Sequence, residues 1–125
     1  MTQTIDYSAA GAWANHVRAL AIIESGENPA ALGDDGQARG LLQIHPARFR
    51  DLMILAGPLP FGLAMTWQEL DIALAGLYFE FYRAHPVDQV VMAWRLGVHG
   101  VMLAGETDAK YYGRWLYAYN EITRA

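Results

Sequence analysis

Between Leu70 and Tyr82 the chain is apolar on nearly every side of a helical wheel: Leu70, Ile72, Ala73, Leu74, Leu77, Tyr78, Phe79, Phe81 and Tyr82. A helix without a polar face has to be surrounded by other elements. Thr66-Trp67-Gln68-Glu69, just before the run, has the form of a capping box, with Thr at the cap and Glu three residues on. The predicted helix runs from there to about Ala84, where His85-Pro86 ends it. The rest of the chain can supply the surroundings, since 54% of the 125 residues are hydrophobic and 12% aromatic. That length suits one domain over residues 1–125, without a further binding module.

The other segments read as helices around this central one. Ser8 to Ser25 is the first, with Ser8 as its N-cap and Trp13, Val17, Leu20, Ile23 and Glu24 on one face. Gly11 is a weak spot near its start, at little cost. Glu27 to Arg39 has no period and reads as an ordered loop or a short hairpin turning at Asp35-Gly36. Pro46 suits the first position of a helix to about Leu55. The Gly57–Gly62 stretch, rich in Gly and Pro, is a loop and the best candidate for a mobile or partner-facing element. Val87 to Leu96 is a helix stopped by Gly97, and Val98 to Glu106 reads as loop. Thr107 or Asp108 caps a last helix carrying Tyr111, Tyr112, Trp115, Leu116, Tyr119 and Ile122. The expected fold class is all-α, or α+β at most through one small hairpin.

Charge and composition narrow the chemistry. The net charge is −4 and no Lys/Arg block exists, which argues against a nucleic-acid partner. With no cysteine there is no disulfide and no thiolate chemistry. His16, His45, His85 and His99 are scattered without ligand spacing, so neither a metal nor another cofactor is expected. No apolar run approaches the ~20 residues of a membrane span. The N-terminus, MTQTIDYSAAG, has neither a basic n-region nor an apolar h-region, so synthesis in the cytoplasm is expected.

The stretch from Ala21 to Pro46 carries the chemistry. It puts Glu24 at the end of an apolar helical run, with Ser25-Gly26 as the stop and a Gly/Asn/Asp loop facing it. An acid at the C-terminal end of a helix is disfavoured by the helix dipole, which raises its pKa, and burial raises it further. Such a group keeps its proton near neutral pH and can give it to a leaving group.

Glu24, Ser25, Asn28, Pro29, Ala31, Gly36, Ala38, Gly40, Leu41, Gln43 and Ile44 stand at the offsets of a Glu-Ser … Asn-Pro-x-Ala … Gly-x-Ala-x-Gly-Leu-x-Gln-Ile pattern. The stretch thereby resembles the lysozyme-like superfamily, in its soluble lytic transglycosylase and phage muramidase branch. The second half of the chain resembles that branch more loosely. Ala93-Trp94-Arg95-Leu96-Gly97 is similar to the family's Ala-Tyr-Asn-Ala-Gly, with Arg95 at the Asn position. Glu106-Thr107 followed by Tyr111 is similar to Glu-Thr-x-x-Tyr, with one residue too many.

The resemblance implies a lysozyme-like helical domain that cleaves the β-1,4 bond between N-acetylmuramic acid and N-acetylglucosamine in peptidoglycan. Glu24 would be its general acid and base, with Ser25, Gln43, Trp94, Arg95 and Tyr111 in contact with substrate. Arg95 would grip a carboxylate of the peptide stem or lactyl group in place of the family's carboxamide. A hydrolytic muramidase is the chemical rival and needs a second carboxylate, for which Asp34 and Asp35 are the candidates, although turn chemistry explains both. A lysozyme-like domain that binds glycan or protein without cleaving is the rival of another class. The implied partner is the glycan strand and the expected state a monomer. The implied setting is a phage lysin, reaching the wall at lysis, or a virion component.

Overall fold

The computed structural model describes residues 4–57 and 65–124. Five α-helices and one two-stranded antiparallel sheet are found there: α1 (Ala14–Ser25), β1 (Leu32–Gly33), β2 (Ala38–Arg39), α2 (Pro46–Ala56), α3 (Trp67–Phe81), α4 (Val87–Leu96) and α5 (Ala109–Arg124). The fold is mostly α with one small hairpin. None of the described helices is long and apolar enough to cross a membrane.

The apolar run forms the middle of the core. Ile72, Ala73, Leu74, Ala75, Tyr78 and Phe79 of α3 are buried. The reciprocal capping box is in place, with Thr66 Oγ1 accepting from Glu69 N and Glu69 Oε1 accepting from Thr66 N, each at 3.1 Å. The helix ends at Phe81, earlier than the predicted Ala84, because Tyr82 leaves helical geometry (φ −98°, ψ 19°) and the chain closes as a turn, His85 N to Tyr82 O at 2.9 Å. Its apolar surface is also less enclosed than the sequence suggests, since Phe81 and Trp67 at its two ends stay exposed.

The N-terminal helix differs from expectation. Residues Ser8–Trp13 form a 3-10 segment and the α-helix begins only at Ala14. Gly11 is the reason: its φ of 60° and ψ of −131° lie outside helical geometry, so the residue read as a weak spot is a required kink. Ser8 does not cap through its side chain; its N–H donates to Asp6 Oδ1 at 2.8 Å instead. The kinked segment packs on α3 at Gly76, where a Cβ would lie 2.7 Å from Ala10 Cα. On the other side α1 packs along α5, and Trp115 Nε1 donates to His16 O at 3.1 Å. Val17 and Leu20 on that face are fully buried.

Two further boundaries hold and one changes. Pro46 opens α2 behind an extended His45. Gly97, at φ 93°, stops α4. The segment read as loop after it contains a π-helical turn over His99–Leu103, followed by Glu106 N donating to Gly100 O at 2.9 Å. Gly100 allows this fold-back, because the Glu106 carboxylate occupies the space a side chain would need. Most of the Gly57–Gly62 loop lies outside the described residues.

Candidate active site

Glu24 is placed by the way α1 ends. Gly26 takes the left-handed conformation (φ 65°), with Gly26 N bonded to Ile22 O at 3.0 Å, the bond of a left-handed C-cap, and Glu27 N reaches back to Ala21 O at 3.2 Å. The chain then turns away and leaves Glu24 in the last helical turn. The following loop is held close by Ser25, whose hydroxyl donates to Leu41 O at 2.6 Å and accepts from Asn28 N at 3.1 Å. Tyr7 adds a second tie, its hydroxyl donating to Glu27 Oε2 at 2.7 Å.

The hairpin supplies the facing wall. Leu32 pairs with Arg39 and Gly33 with Ala38, through a short turn in which Asp34 and Asp35 both take positive φ. Gln43 locks the base of the hairpin: its Nε2 donates to Ala31 O at 3.1 Å and Gly40 O at 2.9 Å. Glycine at position 33 lets this amide lie against the strand, since a Cβ there would come 2.6 Å from Gln43 Oε1 and push the side chain aside.

Between α1, the hairpin, the start of α2 and the end of α4 lies a cleft of about 760 Å³, within the range of small-ligand sites. Glu24, Gly33, Asp34, Ala38, Gln43, Ile44, His45, Ala47, Arg48, Asp51, Trp94, Arg95 and Leu96 line it. Arg48 ties α2 to α4 across its back, with Cζ 5.4 Å from the centre of the Trp94 ring and Nη2 3.4 Å from Ala93 O. A larger hollow of about 870 Å³ between α1 and α5 is lined mainly by apolar and cationic groups, and Glu24 is not on its wall. Chemistry, not size, selects the cleft.

Glu24 is half-buried, and burial raises its pKa above the ordinary carboxylate value. The charges that act on it are all cationic (Arg95, Arg114, Arg48 and His45) and pull the other way without cancelling the effect of burial. Such a group can hold a proton where it is half-buried and is supported as an anion once it has given it up. Arg114 lies at the same helix end, with Nη2 donating to Ile23 O at 3.1 Å.

The other expected site residues divide. Gln43, Trp94 and Arg95 line the cleft with Glu24, although the Trp94 ring is mostly enclosed, edge-on to Tyr78 at 5.1 Å. Arg95 is held from behind: its Nε is 2.9 Å from Asp108 Oδ2, and its Cζ stands 5.6 Å from the centre of the Tyr111 ring. Asp108 also caps α5, accepting from Tyr111 N at 3.1 Å. Tyr111 is buried and off the cleft wall, yet close enough for the Glu24 charge to act on it. Its phenol is raised by burial first and by Glu24 second, and its hydroxyl has no hydrogen-bond partner among the described residues. Ser25 is also off the wall, with its hydroxyl committed to backbone groups. Asp34 lines the cleft and pairs with His45 Nε2 at 3.0 Å, whereas Asp35 does not line it.

His45, Arg48, Asp51 and Arg114 are site residues that the sequence did not single out. Arg48 and Asp51 share a spacing of three on α2, a weak signal that marks a shared helix face and nothing more. No family model, curated protein or solved structure matches the chain.

Proposed function

We propose that this protein is a peptidoglycan-cleaving glycosidase of the lytic transglycosylase type, with Glu24 as the single acid and base. The observation that carries the reading is Glu24 itself, half-buried on the wall of a cleft of sugar size, where the Arg95, Arg114 and Arg48 charges favour its anion. The motif resemblance over Glu24–Ile44 supplies the substrate class.

In this mechanism Glu24 protonates the glycosidic oxygen as the bond from muramyl C1 to that oxygen breaks. The resulting carboxylate, supported by Arg95, Arg114 and Arg48, then takes the proton from the muramyl 6-hydroxyl. The 6-oxygen bonds to C1 and closes a 1,6-anhydro ring. No water is consumed, and the proton returns to Glu24 for the next cycle. Arg95 is well placed for a substrate carboxylate, since it lines the cleft while its other edge rests on Asp108.

The hydrolytic alternative keeps one candidate base, Asp34, which shares the cleft but is paired with His45. Loss of turbidity of purified peptidoglycan tests the central assignment. The native chain is expected to clear the suspension, and Glu24→Gln to be slower by at least about a hundredfold. Equal clearing by both removes Glu24 from the chemistry, and no clearing by either favours a binding role.

A further inference from the structure

The hairpin that walls the cleft has a second side. Side chains alternate along a strand, so if the Gly33–Ala38 pair faces Glu24, the Leu32–Arg39 pair faces away from it. On that side lies a separate groove of about 610 Å³. Leu32 and Trp67, exposed at 71% and 75%, project into solvent along it, and Phe49 stands 6.0 Å from the Trp67 ring. Two large exposed apolar side chains on one groove are an unfavourable surface unless something covers them.

The polar groups in this apolar setting are the informative part. Asp71 projects from α3 into the groove, half-buried, and has no hydrogen bond or ion pair among the described residues. Arg39 lines the same groove and is close enough for its charge to act on Asp71. Two opposite charges, near each other and not joined, are poised for a ligand that carries both charges itself.

We propose that this groove binds a free amino acid with an apolar side chain, held through both its ammonium and its carboxylate. The ammonium meets Asp71, the carboxylate meets Arg39 in a charge-assisted contact, and the side chain lies against Leu32, Trp67 and Phe49. Gly40 lies at the floor beside Asp71: its φ of 82° favours glycine, and a Cβ there would stand 3.4 Å from Asp71 Oδ2, in ordinary contact. The burial that raises the Asp71 pKa to about 6 supports this reading, because a carboxylate kept in such a setting at a cost to the fold is a mark of a site. The inference stands apart from the Glu24 chemistry and does not require glycan cleavage.

The test is a titration of the full chain at pH 7.5 with L-norleucine, followed by amide and indole NMR shifts. Two matched probes keep the tail and lose one charge each: pentylamine and hexanoate. Norleucine is expected to give saturable shifts at the Trp67 indole and at Leu32 and Gly40, with both single-charge probes weaker by at least about tenfold. Asp71→Asn and Arg39→Gln are each expected to weaken norleucine by about tenfold, whereas Glu24→Gln leaves it unchanged. Arg39 is exposed, so its variant carries the test even if the Asp71 variant fails to fold. Absence of shifts at the groove overturns the inference, as does equal binding of either single-charge probe or no loss in Arg39→Gln.

Discussion

Two carboxylic acids, Glu24 and Asp71, are half-buried on either side of one short hairpin, and burial is the first cause of the raised pKa at both. What surrounds them differs. Glu24 sits in a helix end within reach of three arginines, Arg95, Arg114 and Arg48, whereas Arg39 is the one cation acting on Asp71, which lies among mainly apolar and aromatic groups. The first arrangement suits a group that must be comfortable both with and without its proton. The second suits a fixed charge waiting for a cation. Burial alone therefore does not tell the two acids apart; the compensating charges do, and the role proposed for Glu24 rests on them.

The comparison depends on the hairpin being rigid enough to keep two different environments apart. Gln43→Ala tests that wall with the largest expected effect. It removes two hydrogen bonds, while each carbonyl keeps one backbone donor, Gly40 N for Ala31 O and residue 43 N for Gly40 O. The expected loss is about 2 kcal/mol of stability, with a fall in activity, and thermal unfolding with a turbidity assay reads both. An unchanged midpoint would mean that the hairpin does not rely on this amide.

Asp71→Asn separates the two acids by stability. The folded-state pKa of Asp71 is raised from 3.8 to about 6, so its charged form is disfavoured by folding. The native state binds the proton more tightly, and stability falls as pH rises from 3.8 to about 6. The Asn variant should be more stable than the native chain at pH 7 by about 1 kcal/mol, after allowance for solvent, and equal to it at about pH 3. Chemical denaturation at the two pH values measures this, and a variant less stable at pH 7 would contradict it.

Arg95→Gln sharpens the other side of the comparison with the smallest effect. Arg95 is the strongest of the cations that lower the Glu24 pKa. In the proposed mechanism the acid must be protonated, so activity is expected to fall as pH rises through that pKa. Removing the cation should move the alkaline limb of the pH–rate profile upward, by less than about one unit. A limb that stays in place or moves down would show that Arg95 does not act on Glu24.

The helices were largely legible in the sequence because their signals are local. The Thr66–Glu69 box, Pro46 at its helix start and Gly97 at its stop each work through neighbouring backbone, and each boundary is found as read. The kink at Gly11 was not legible, because a glycine near a helix start looks the same whether it is tolerated or required. Its need comes from Gly76, far away in sequence, where the two segments touch. The early end of α3 and the π-helical turn after Gly97 likewise depend on contacts that no local pattern records.

The candidate site was partly legible. Glu24 stands out because a motif surrounds it, and the stretch opposite reads as an ordered loop or a short hairpin, of which the hairpin is what is found. Ser25 was read as a cleft residue, but a hydroxyl can bond backbone as readily as sugar, and here it does the former. The cations at Glu24 come from α2, α4 and α5, elements that meet only in the folded chain. Asp71 was hidden within the apolar run that defines the core. A lone acid there looks like an ordinary helix residue until the groove beside it is seen.

The most direct test of the account is mass spectrometry of the fragments released from purified peptidoglycan. Muramyl ends lacking the mass of one water, produced by the native chain and absent with Glu24→Gln, are the predicted result. Muramyl ends that retain the water, or the same fragments from the variant, would contradict the assignment of Glu24 as the one acid and base of an internal ring closure.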